Sequence, residues 1–201
     1  MKLLKNTTSP FARLAHAMLI EAGAAPEVEL VNPWADPEAL TEANPARRVP
    51  ALILDDGTIL TEAMLIARHA TAISPQGSHL RDDDPAKLAI AGLGFGTIEA
   101  AVYIMTGRKI VSNDLAVTDF DRHPVADRRR GAMRDSLTRI EAQADRLSHD
   151  RMGLAELIVA DAIQYLDFRF PGADWRPAIP RLDAWLRDAM AQPSVRDTVP
   201  T

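Results

Sequence analysis

The chain has 201 residues, 47% of them apolar and 25% charged, with a formal net charge of −5 and no cysteine. That length holds one large domain or two small ones, and without cysteine there is no disulfide, no thiolate metal site and no redox chemistry on a protein thiol. The acidic balance and the 5% of aromatic residues argue against a nucleic-acid partner; no 18-residue apolar run and no basic-then-apolar leader is found, so neither a membrane partner nor secretion is expected and the expected location is cytoplasmic.

The first apolar run, Met1 to Leu4, reads as a strand. It gives way to the hydroxyl cluster Thr7, Thr8 and Ser9 and then to Pro10. A serine whose oxygen accepts from a free backbone N–H, followed by a proline at the first helical position, is a helix start. The helix runs from Pro10 to about Ala22 and ends at Gly23. Val28 to Val31 gives a second strand, and a proline-bearing segment with Trp34 and Pro37 follows as irregular chain. In VPALILDDGTIL two apolar runs are joined by Asp55, Asp56 and Gly57, a hairpin signal. TEAMLIARHATAI then carries Leu65, Ile66, His69 and Ile73 at helical spacing. Strand, helix, strand, irregular segment, hairpin and helix make one small α/β unit over residues 1–76.

Residues 77–85, within SPQGSHLRDDDPAK, read as a linker, and 86–201 shows helical periodicity or turn signals throughout. Helices are expected at about 86–111, 122–149, 154–168 and 178–191. Three glycines, Gly92, Gly94 and Gly96, interrupt the first of these at about 1 kcal/mol each relative to alanine. They imply either a weakened helix start or close approach of a ligand, a helix or a second subunit. The basic run Arg128 to Arg130 falls partly off the stripe Met133, Leu137, Ile140, Ala144, Leu147 and reads as a solvated helix face. The five histidines show no metal-ligand spacing, so no metal is expected.

This element order, with TSPFARLAHAMLIEAG, NPARRVPAL, DGTILTEAMLIARHA and VADAIQYLDFRFPGADWRPAIPRLDAWLRDAMAQPSVRDTVP, resembles the cytosolic glutathione transferases, bacterial members in particular, over essentially the whole chain. The resemblance implies an α+β fold class: a thioredoxin-like glutathione-binding domain followed by an all-α helical bundle, paired as a homodimer. It implies a glutathione transferase that conjugates the thiolate of glutathione, a cosubstrate, to a small hydrophobic electrophile, as in detoxification. The alternatives are a glutathione-dependent isomerase, dehalogenase or peroxidase of the same fold, or a noncatalytic glutathione-transferase-like binding module.

By the same resemblance Ser9, with Thr8 as its competitor, is the hydroxyl that donates to the sulfur, a role compatible with capping the helix. Val49 and a cis Pro50 pair main chain to main chain with the cysteinyl part of the tripeptide, and Arg48 lies near its glycyl end. Glu62 addresses the γ-glutamyl amine. Ala63 departs from the family's serine and leaves only a backbone N–H for the carboxylate. Phe11, Tyr103 and Arg108 are the candidates for the electrophile pocket. Arg13 reads as a surface arginine that adds positive potential, Asp161 as half of a capping box reaching back to a backbone N–H beside Ile158, and Trp175 and Trp185 as core.

Overall fold

The computed structural model describes residues 1–81 and 83–201; Asp82, in the expected linker, lies outside them. Strand β1 (Lys2–Lys5) pairs in parallel with β2 (Glu27–Leu30) and antiparallel with β3 (Ala51–Ile53), which pairs antiparallel with β4 (Ile59–Thr61), giving the order β2-β1-β3-β4. Successive strand residues point to opposite faces. Leu3 and Leu52 accordingly join the core that holds Leu14 and Met18, while Leu4 and Ala51 pack with Val31, Leu40 and Val49 on the other face.

Helix α1 (Pro10–Glu21) makes the crossover between the parallel strands. It stops because Gly23, at φ +75°, turns the chain left-handed and gives its N–H to the Ile20 carbonyl at 2.9 Å. Between β3 and β4, Gly57 at φ +84° closes the hairpin, with Leu54 N–H on Thr58 O at 2.8 Å. The segment expected as irregular contains a short helix, α2 (Glu38–Ala43), whose buried face is only Leu40 and Ala43. Six residues with two apolar positions are too few to show a period. Helix α3 (Ala63–Ile73) completes the first unit.

Helix α4 (Pro85–Ser112) opens the helical part, capped by Asp84, which accepts from Ala86 N–H at 2.9 Å. By length and composition it is the one described helix able to cross a membrane. Ile90, Ile98, Ala101 and Ile104 are instead buried against α5 (Pro124–Glu141) and α6 (Leu154–Arg169), so it is a core helix. Gly94 has a packing reason: a Cβ there would sit 2.8 Å from Ile158 Cγ2 of α6, whereas Gly92 and Gly96 face open space. Helices α7 (Pro180–Ala189) and α8 (Pro193–Arg196) close the chain. The whole is a thioredoxin-like domain followed by a helical domain.

Three expectations are corrected here. The helix expected over 122–149 ends at Glu141, because Ala144 and Leu147 continue the apolar spacing from a 3-10 turn while the Glu141 carboxylate takes the Arg181 and Leu182 N–H groups, each at 2.9 Å. Helix α6 starts at Leu154, which puts Asp161 in its interior, where its Oδ1 bonds Arg13 rather than a backbone N–H. Of the two tryptophans, Trp185 is buried and gives its Nε1–H to Ser148 O at 2.8 Å. Trp175 is only partly buried, edge-on to Phe170.

Candidate functional site

A cleft of about 430 Å³ lies between the two domains. Asn6, Thr8, Ser9 and Phe11 border it from the N-terminal unit, with Trp34 and Asp36 from the chain after β2 and Arg47, Arg48 and Val49 from the chain before β3. Its other wall is Val102, Met105 and Thr106 of α4, then Leu115, and Tyr165 and Arg169 of α6. The first wall is rich in polar groups and backbone; the second mixes the apolar Val102, Met105 and Leu115 with the polar ends of Thr106, Tyr165 and Arg169.

At the polar end the Ser9 Oγ caps α1, accepting from Ala12 N–H at 3.3 Å. The Asn6 carboxamide organises this corner: its Oδ1 accepts the Ser9 N–H at 2.9 Å and its Nδ2 donates to Thr8 Oγ1 at 3.3 Å. Both hydroxyls therefore spend acceptor capacity on protein donors and keep their own O–H to give. Asn6 was not singled out from the sequence; an asparagine just before a hydroxyl cluster and a helix start, where its short amide reaches nearby backbone, was the available signal.

The Val49–Pro50 peptide is cis. Val49 lines the cleft, and neither its N–H nor its C=O makes a hydrogen bond among the described residues. Asn44, a second residue missed in the sequence, shapes the approach to it by donating to Arg48 O at 2.7 Å and accepting Ala46 N–H at 3.0 Å. Arg48 reaches Glu62 at 2.6 Å and Arg47 reaches Asp36 at 2.5 Å, so both arginines on this rim are matched by a carboxylate. Asp36, Arg47 and Glu62 all have positive φ, at 47°, 56° and 67°. Non-glycine residues held there cost about 1–3 kcal/mol each and collect where ligands bind. Pro50, Glu62 and Ala63 do not themselves line the cleft, Ala63 being buried at the first turn of α3.

Beneath α1 lies a buried set of charges. Arg13, expected at the surface, is 4% exposed; it bonds Thr198 Oγ1 at 3.1 Å, Val195 O at 3.2 Å, Asp161 Oδ1 at 3.4 Å and the Gln164 amide oxygen. Burial pushes the Asp161 carboxyl up to about 7, Arg13 and Lys5 holding it down only in part. His16 is pushed down to about 4, first by burial and then by Lys5, whose Nζ lies 3.3 Å from its Nδ1. Lys5 is itself lowered, chiefly by burial and next by Arg13.

Of the three residues expected around an electrophile, Phe11 lines the cleft and packs on Phe95 with ring centroids 5.6 Å apart. Tyr103 and Arg108 are placed elsewhere. Tyr103 is exposed on α4 beside Phe120 and beneath the Arg129 guanidinium. Arg108 is buried and forks onto Asp121, with Nε on Oδ1 at 2.8 Å, while its Nη1 bonds Leu115 O at 3.1 Å. The α6 residues Tyr165 and Arg169 hold the wall where these two were expected. No group of three or more metal-ligating side chains occurs among the described residues.

The model of the glutathione S-transferase N-terminal domain matches residues 8–73, and that of the C-terminal domain matches residues 124–188, together about two thirds of the chain. The chain is 25% identical to YibF of Escherichia coli K12, an uncharacterized GST-like protein, over 100% of this chain and 98% of that one. A glutathione transferase family member from Pseudomonas fluorescens Pf-5 superposes with TM-score 0.82 and 29% identity in a structure with bound glutathione, covering 100% of this chain and 98% of that chain. With bound S-(propanoic acid)-glutathione it gives TM-score 0.80 and 27% identity, over 100% of both. A glutathione S-transferase from Methylobacillus flagellatus KT with glutathione bound gives TM-score 0.83 and 25% identity, over 100% of this chain and 99% of that chain.

Proposed function

This chain belongs to the glutathione S-transferase family, and from that we propose that it holds glutathione in the interdomain cleft and joins the thiolate to a small hydrophobic electrophile. The observation that carries the reading is the pair Ser9 and Thr8, two hydroxyls with O–H groups to spare at the start of α1, facing a cleft in a chain with no thiol of its own. A free thiol with pKa near 8.5 is only a few per cent ionised at neutral pH. A donated O–H and the positive end of a helix both favour the anion. The thiol proton leaves to solvent, the sulfur bonds the electrophilic carbon, and the leaving group departs with its electron pair.

The remaining parts agree with a docked tripeptide. The unpaired Val49 main chain suits strand-like pairing with an extended peptide. The pair Arg48 and Glu62 offers one cation and one anion to a zwitterion, and the first turn of α3, at Ala63, offers backbone N–H groups to a carboxylate. Relatives with bound glutathione and a bound glutathione conjugate support the same assignment. Homodimer formation belongs to this reading: Met64 and Leu65 on α3 and Leu88 on α4 are exposed, and Gly92 and Gly96 leave open space one and two turns beyond Leu88. So does a cytoplasmic role in disposing of electrophiles.

The test is a calorimetric titration with glutathione, then conjugation to 1-chloro-2,4-dinitrobenzene by the wild type, Ser9→Ala and Thr8→Ala. Binding with turnover that falls at least about 100-fold in one hydroxyl variant is the expected result. Binding without turnover points to an isomerase, dehalogenase or peroxidase. Absence of binding points to a noncatalytic module, the reading that Ala63, in place of the family's serine, favours.

A further inference from the structure

Resting on the proposed function, we infer that the electrophile carries a carboxylate and that Arg169 is the residue that selects it. Three arginines line the cleft. Arg47 and Arg48, on the thioredoxin-like side, are each matched by a carboxylate, Asp36 at 2.5 Å and Glu62 at 2.6 Å. Arg169, at the last turn of α6, forms no ion pair among the described residues, and its Nε is buried without a hydrogen-bond partner.

The guanidinium is held in place. It lies 4.6 Å from the centroid of the Phe168 ring and 5.7 Å from that of Tyr165. A cation at a helix C-terminus is favoured by the dipole, which explains an arginine at this turn; the guanidinium also hydrogen-bonds the Tyr165 phenol oxygen, which leaves its charge without a carboxylate and its Nε without a partner among the described residues. Tyr165 lines the cleft beside it, and burial raises its phenol pKa above the usual value, opposed by the charge of Arg169 and by the hydrogen bond Arg169 gives the phenol oxygen. This wall thus presents a guanidinium and a phenolic O–H, both donors, with Met105 and Leu115 as apolar neighbours and no carboxylate.

A purely hydrophobic electrophile leaves the Arg169 guanidinium without a counter-charge and its Nε without a partner. A ligand with an apolar body and a terminal carboxylate fills both parts, because a guanidinium fork matches a carboxylate bidentately and the surrounding apolar wall weakens competition from water. Arg169 sits on the helical domain, across the cleft from the main chain of Val49, so it addresses the group attached to sulfur rather than the peptide backbone.

The experiment is a calorimetric titration of the full chain with S-(4-carboxybenzyl)glutathione, S-benzylglutathione and glutathione, for the wild type and Arg169→Met. The wild type is expected to prefer the carboxylated conjugate about tenfold or more. In Arg169→Met that preference falls to within about twofold, while the dissociation constants for glutathione and S-benzylglutathione hold to within the same margin. A wild type that binds both conjugates equally overturns the inference and leaves the proposed function standing, and this comparison needs no variant to fold. Equal weakening of all three ligands in Arg169→Met also overturns it, by assigning the arginine to the tripeptide. If neither glutathione nor S-benzylglutathione binds the wild type, the proposed function fails first and the inference with it.

Discussion

Arg13 and Asp161 face each other at 3.4 Å across the domain boundary, with side chains only 5% and 2% exposed. Asp161 Oδ2 has no partner among the described residues, while Arg13 gives three further N–H groups to Gln164, Val195 and Thr198. Removing one member of a buried pair strands the other, at a cost of about 3–5 kcal/mol. Arg13→Ala is expected to lie in that range by urea unfolding.

The same pair sets a pH dependence. Asp161 titrates near 7 in the folded chain and near 3.9 when unfolded. Below the unfolded value both states hold the proton; between the two values only the folded chain holds it, so stability from this group is present at low pH and is lost as pH rises to about 7. His16, pushed down to about 4, has the opposite slope, losing stability as pH falls below about 6.5. It is common to wild type and Asp161→Asn and cancels between them. The melting temperature of the wild type minus that of Asp161→Asn is expected to fall from pH 5 to pH 7.5; a flat difference refutes the assignment.

Gly94→Ala and Gly96→Ala are expected to move stability in opposite directions. At Gly94 the new Cβ meets Ile158 Cγ2 at 2.8 Å and α4 must shift from α6, a loss of about 1–3 kcal/mol. Gly96 has nothing within 4 Å, so alanine there adds about 0.5–1 kcal/mol through backbone entropy. Urea midpoints at one low protein concentration decide between them.

Arg108→Ala is expected to cost about 2–4 kcal/mol by freeing Asp121 and the Leu115 carbonyl. Because Arg108 does not line the cleft, glutathione affinity by calorimetry is expected to stay unchanged.

Asn6→Ala is expected to lower conjugation about tenfold without changing glutathione affinity, because it releases both the Ser9 N–H and Thr8 Oγ1. Steady-state kinetics separates the two effects. An unchanged turnover number removes Asn6 from the positioning of the hydroxyls.

Elements decided within a few residues were legible before any coordinates: the Ser9–Pro10 start of α1, its stop at Gly23, the turn at Asp55 to Gly57. Each is a local balance of caps, φ preference and turn chemistry. The N-terminal half of the cleft was legible only through the family resemblance, which named Thr8, Ser9, Arg48 and Val49; all four line it. What failed depends on distant partners. Arg13 finds Asp161 at a separation of 148 residues, and its signal was weak but present: one charge set in the apolar face of α1 and one in the run LIVADAI. Arg108 and Arg169 are alike in sequence, yet one turns onto Asp121 and the other onto the cleft wall. The end of α5 was hidden because Ala144 and Leu147 keep the helical spacing beyond the helix.

Helix α1 carries Ser9 at its tip and Arg13 one turn further on, and Arg13 is pinned by α6 and α8. The helix therefore acts as a short lever whose fulcrum belongs to the opposite half of the molecule. Excising residues 1–76 leaves a guanidinium with its socket gone and a hydroxyl pointing wherever the loosened rod swings. The sulfur-facing corner is thus a joint product of both halves, and separate expression of either half dismantles it.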